Sequence, residues 1–153
     1  MIQRIQTLYL LIALILMGIL FFFPFAEILS GENELYAFHF NGFYHAESEE
    51  LYIQTIPSII LLIAIALLNI VTIFLFKKRI IQMRLAFINM LLQLGFAGLI
   101  YFYVNNLSSS LEAEAVSYKL FGAIPFIAAI LHYLAIRAIG KDEALVRSID
   151  RIR

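Results

Sequence analysis

Leu51–Phe76, LYIQTIPSIILLIAIALLNIVTIFLF, carries no charged side chain, and Lys77-Lys78-Arg79 stops it abruptly. At roughly 1.5 Å per residue, a helix through most of that stretch crosses a hydrocarbon core of about 30 Å. Outward from it, three more charge-free windows appear: Ile5–Ala26, Leu85–Leu111 and Leu120–Ile136. Composition agrees, at 63% hydrophobic and 14% charged, against roughly half apolar and a quarter charged in soluble domains. The pattern predicts an all-α membrane protein, a four-transmembrane-helix bundle forming one integral membrane domain over 1–153. Its expected spans are 5–25, 56–76, 85–104 and 120–139, with an outer loop at 27–55 and a cytoplasmic tail at 140–153.

Charge is zero overall but strongly segregated. Ten of the eleven Lys and Arg residues fall before the first window, between the second and third, or after the fourth: Arg4, Lys77, Lys78, Arg79, Arg84, Arg137, Lys141, Arg147, Arg151 and Arg153. The remaining two loops hold Glu27, Glu32, Glu34, Glu47, Glu49, Glu50, Glu112 and Glu114, with Lys119 the single base. Short basic loops stay cytoplasmic, so both termini are expected inside and both acidic loops outside. The first window is read as a retained helix. It is longer than a typical leader core, and Phe21-Phe22-Phe23-Pro24-Phe25-Ala26-Glu27 lacks a small-x-small cleavage pattern.

In the long outer loop, Leu35–Phe40 and Phe43–Ala46 flank Asn41-Gly42, the strongest short-range signal for a β-hairpin with a type I′ turn. A turn on Asn41-Gly42 pairs Phe40 with Phe43 and His39 with Tyr44. A two-stranded hairpin is marginal alone, so Phe38, Phe40 and Phe43 are expected to rest on helix ends or headgroups, or to meet a partner. The second outer loop, Asn105–Lys119, opens on Ser108-Ser109-Ser110 and has room for a helical turn over Leu111–Val116. Gly140 is expected to break the last helix. Beyond it, Leu145, Ile149 and Ile152 recur on one helical face flanked by Arg147, Arg151 and Arg153, an amphipathic cytoplasmic helix suited to an anionic leaflet or a partner.

The opening Met1-Ile2-Gln3-Arg4-Ile5-Gln6-Thr7, the stretch Lys78-Arg79 with Gln82-Met83-Arg84-Leu85 and Asn89, and the tail Arg137-Ala138-Ile139 with Lys141 through Arg153 resemble a family. It is the group of small four-span inner-membrane proteins of Bacteroidota classed only as a domain of unknown function. The resemblance runs nearly end to end and is most specific in the tail. It implies a bacterial inner-membrane protein and supplies no catalytic residues.

Chemistry must then come from polar groups inside the spans. Depth counted along each helix puts Asn69 about 12 Å from Lys77 and Gln93 about 13 Å from Arg84, one shared layer, with Asn89 and His132 shallower at about 8 Å. Such groups are expected to face inward and bond to one another, either as interhelical glue or as a site for a small polar ligand or proton step. Gly18, Gly98 and Gly122 come out at similar depths, with Gly95 a turn away, and are expected to form a layer of close helix packing. The absence of cysteine excludes disulfides, thiolate metal sites, Cys nucleophiles and thiol oxidases. His39, His45, Glu47, Glu49 and Glu50 are read as a solvated acidic rim and not as a metal centre. No cofactor is called for, and no phosphate-loop or nucleic-acid motif is present. Two roles remain. The expected one is a non-enzymatic inner-membrane subunit or accessory protein that binds membrane partners, lipid or a second copy of itself; the alternative is a small oligomeric transporter or channel built on Asn69, Asn89, Gln93 and His132. A water-lined cavity at that cluster would favour transport.

Overall fold

A computed structural model describes residues 5–31 and 34–150, with side chains through residue 145. The described residues form four α-helices: α1 (Ile5–Ile19), α2 (Ile56–Phe74), α3 (Arg79–Ser110) and α4 (Ile124–Asp150), the last preceded by a 3₁₀ turn at Leu120–Ala123. Each presents a buried stripe at alternating spacings of four and three: Gln6, Leu10, Ala13, Met17 on α1; Ser58, Leu62, Ile65, Asn69, Thr72 on α2; Gln82, Ala86, Asn89, Gln93 on α3; Ala128, His132, Ala135, Ile139 on α4. A mean spacing of 3.5 residues is the seam of left-handed, knobs-into-holes packing. The helices alternate in direction around a common axis, in the order α1, α2, α3, α4 and back to α1. The opposite faces are apolar and exposed, with Ile60, Leu67, Phe74, Tyr101, Phe102 and Ile130 among them.

An all-α, four-span architecture does not survive. Among the described residues, three helices are long and apolar enough to cross a membrane: Ile56–Phe74, Arg79–Ser110 and Leu120–Leu145. The first window yields only a helix of 15 residues, about 22 Å long and short of the hydrocarbon thickness. After Ile19 the chain turns, and at Pro24, which cannot donate to a helix, it passes into a strand instead of completing a span at 25.

That strand begins an antiparallel sheet of five: β1 (Ala26–Leu29), β2 (Leu35–His39), β3 (Gly42–His45), β4 (Leu51–Gln54) and β5 (Ala115–Tyr118), in the order β4-β3-β2-β1-β5. Tyr36, Phe38 and Phe43 point toward the helices and are buried. Phe38 stacks on Phe43, with ring centroids 4.2 Å apart, and meets Phe25 edge-on at 5.3 Å. Phe25 in turn abuts Phe96 of α3. This aromatic layer joins sheet to bundle, so Phe38 and Phe43 are not free to receive a partner. Phe40 is partly buried and packs on Phe21.

The hairpin register also differs from the expectation. His39 lies opposite Gly42, Phe38 opposite Phe43, and Ala37 opposite Tyr44, so Phe40 and Asn41 form the turn. Neither has a positive φ, which a type I′ turn requires. Gly42 is instead demanded by β4: a Cβ there would collide with the Ile53 carbonyl oxygen and meet Leu51 Cδ1 at 2.9 Å.

The second outer loop is shorter than expected because α3 runs on to Ser110. Ser108 and Ser109 donate their hydroxyls to the Asn105 carbonyl and Ser110 to that of Asn106, bonds to preceding turns that let a serine run continue a helix. Glu112, with φ of 46°, takes the left-handed position after the helix, and 115–118 pair with β1 instead of forming a helical turn. Likewise, Gly140 does not interrupt α4, whose helix continues to Asp150. Arg151, Ile152 and Arg153 lie outside the described residues, as do the side chains of Arg147 and Ile149; Leu145 is exposed.

Candidate functional site

The polar cluster is real as geometry. His132, on the buried stripe of α4, has Nδ1 3.0 Å from the Ala128 carbonyl oxygen one turn earlier. A carbonyl only accepts, so Nδ1 carries the proton and Nε2 is the acceptor. Asn89 donates from Nδ2 to that Nε2 at 3.1 Å. The Gln93 amide lies 3.2 Å from Nδ1, and with a proton on Nδ1 the amide presents its oxygen there, its two ends being exchangeable by a half-turn. Asn89 and Gln93, four residues apart on α3, thus bracket one imidazole from α4.

Asn69 does not join them. It is fully buried, and neither amide atom has a hydrogen bond among the described residues. The reason is register. Gln82 donates to the Thr72 carbonyl at 3.1 Å, and Leu10, Ala86 and Ala135 share one packed layer. Heptad spacing carries the 72–82 pair to 69–86, so Asn69 sits at the Ala86 layer, about 10 Å along the axis from Gln93. Counting depth from Arg84 put both in one layer, but α3 begins at Arg79, five residues earlier.

The glycine layer is not found either. Nothing lies within 4 Å of a Cβ built on Gly18, Gly95 or Gly98, whereas one on Gly122 would come 3.0 Å from the Phe25 carbonyl oxygen. Only Gly122 marks a close approach, between the 3₁₀ turn and the chain entering β1.

At the sheet end, Lys119 pairs with Glu27 at 2.7 Å. Glu34 accepts from Tyr36 Oη at 2.7 Å and contacts His45 Nε2 at 3.1 Å. A cleft of about 430 Å³ on the outer sheet face is lined by residues including His39, Asn41, Tyr44, His45 and Glu49. Burial lowers the His39 pKa, favouring its neutral imidazole. His39 and His45 therefore border one cleft, but among the described residues no group of three metal-binding side chains assembles. At the basic end, Arg79 reaches α4, donating to the Asp142 carbonyl at 3.2 Å and lying 3.8 Å from the Glu143 carboxylate.

Three apolar helices, a polar interior and a sheet across one end describe a membrane protein in outline. Residues 2–152 match the family model described as Domain of unknown function (DUF4293). The chain belongs to that family. The match spans both the helices and the sheet, so the strands are part of the DUF4293 unit and not an appendage. No curated protein matches the chain. Three buried polar residues were not singled out from the sequence, Gln6, Gln82 and Thr72; their heptad spacing from Leu10, Ala86 and Asn69 was the available signal.

Proposed function

We propose that this chain is a non-enzymatic inner-membrane subunit or accessory protein, of the bacterial kind that its opening and tail resemble in Bacteroidota. Its basic end faces the cytoplasm, its sheet lies outside, and its exposed apolar helix faces meet lipid and other membrane proteins. The observation that supports this reading is the closure of the interior: Asn69, Asn89, Gln93 and His132 are each 0% exposed. A solute path needs those groups to line a passage, whereas glue needs them sealed and bonded, as His132 is to Asn89. The placement of Lys77, Lys78, Arg79, Arg84, Arg137 and Lys141 at the end remote from the sheet supports the orientation.

Extraction of the protein at native abundance in mild detergent tests the role. Co-migration with at least one other membrane protein is expected, weakened when residues 142–153 are deleted. A wild-type protein that purifies alone and, once reconstituted, moves a solute in a manner abolished by His132→Ala or Gln93→Leu would replace this reading with transport.

A further inference from the structure

Polar groups are distributed unevenly along the bundle axis. Toward the sheet, the core is Met17, Leu20, Phe25, Leu62 and Phe96, all fully buried. The buried hydroxyls there, Thr55 and Ser58, sit in the first turn of α2, with Leu62 and Phe96 between them and Gln93. Toward the basic end, each successive layer carries an amide. Gln6, Thr72 and Gln82 form the first level, Asn69 the next beside Ala86 and Ala135, then Asn89 with His132, then Gln93. Successive heptad layers are about 5 Å apart. Among the described residues many of these groups lack partners: both amide atoms of Gln6 and of Asn69, Gln82 Oε1, Asn89 Oδ1 and one end of the Gln93 amide. In hydrocarbon such atoms are costly, and the usual partner is internal water, which needs two to four polar contacts and a site of its own size. Ala86 and Ala135 present only methyl groups at the Asn69 level, and a 5 Å step is bridged by one or two water molecules.

We propose that His132 is a proton-binding site reached through a file of internal water from the basic end and shut off from the sheet end. Hydronium or water delivers the proton to Nε2 and leaves as water or hydroxide. Asn89 then turns its amide so that Oδ1 accepts from Nε2–H, while Gln93 and the Ala128 carbonyl accept from Nδ1–H. The pair of amides thereby satisfies the imidazole in both protonation states. No acid or base faces His132 from α1, α2 or α3. The nearest charged groups, Arg84 and Arg137, lie exposed on the perimeter. At the same end a surface crevice of about 390 Å³ between α1 and α4 is lined by residues including Ile5, Tyr9, Arg137 and Lys141, and Ile5 is the chain neighbour of the buried Gln6. A one-sided path carries no flux, so this site stands independently of the accessory reading.

Exchange of the histidine C2 hydrogen for deuterium tests it, because that exchange needs both an imidazolium and water at the ring. In reconstituted protein, His132 is expected to exchange with a rate that follows a titration curve. Asn69→Leu and Gln82→Leu, which fill the file from the basic side, are expected to slow it by an order of magnitude. Asn69→Ala, which leaves room for water, should keep it. His39 and His45, on the sheet, report in the same spectra that the fold persists. Failure of wild-type His132 to exchange while His39 and His45 do, or an unchanged rate in both Leu variants, overturns the proposal.

Discussion

Asn89 and His132 form an interhelical side-chain pair whose donor and acceptor are fixed by a neighbour. Because Ala128 takes the Nδ1 proton, Asn89 must donate, and Asn89→Leu leaves Nε2 without a donor. Interhelical bonds in membranes are modest, so the expected loss is about 1 kcal/mol, read by unfolding in detergent; a loss of zero would mean that water replaces the amide. Gly42→Ala belongs to the same scale but acts through space. Its methyl group meets the backbone of β4, which cannot rotate away, and overpacking of that kind costs about 1–3 kcal/mol. Limited proteolysis within 46–54 should detect the freed strand. At His39 the argument is one of linkage. Its folded pKa lies below the unfolded value of 6.5, so folding favours the neutral ring. Stability is then full above 6.5 and falls as pH drops from there through the lowered folded value. His39→Gln should flatten that dependence, as measured by thermal melting across the acidic range.

Among elements, the sheet depends on an aromatic layer more than on its own hydrogen bonds. Strands of four or five residues are too short to hold a free-standing sheet against water. Phe38, fully buried between Phe25, Phe43 and Tyr103, fastens β2 to the bundle, and its truncation to Ala is expected to cost about 3–5 kcal/mol. The loss should appear as protease sensitivity across 26–55 with the helical signal retained, since the heptad seams do not involve Phe38. Loss of helix to the same extent would show that sheet and bundle fold as one unit. This element was half legible. Aromatic runs around Asn41-Gly42 announced a hairpin, but β1, β4 and β5 left no signature, because AEIL, LYIQ and AVSY are each too short for an alternating pattern to separate from a helix end or loop.

For the whole molecule, the segregation of basic residues predicts sidedness directly. The chain has no cysteine, so single replacements report without background. Glu49→Cys, in the β3–β4 connection, should react with a membrane-impermeant thiol reagent added to intact cells, and Lys77→Cys only after the membrane is opened; the reverse result would invert the orientation. Sequence alone determined that the chain lives in a membrane, that its polar residues face inward and that its charges divide between two ends, because the exclusion of charge from lipid acts on each residue independently of its neighbours. Tertiary structure alone decided that the described part of the first helix is shorter than a span, that five distant segments make a sheet, and that His132 meets Asn89 and Gln93 while Asn69 stands a layer and more away. Those outcomes depend on helix register and strand pairing, and both are fixed by contacts between residues far apart in the chain.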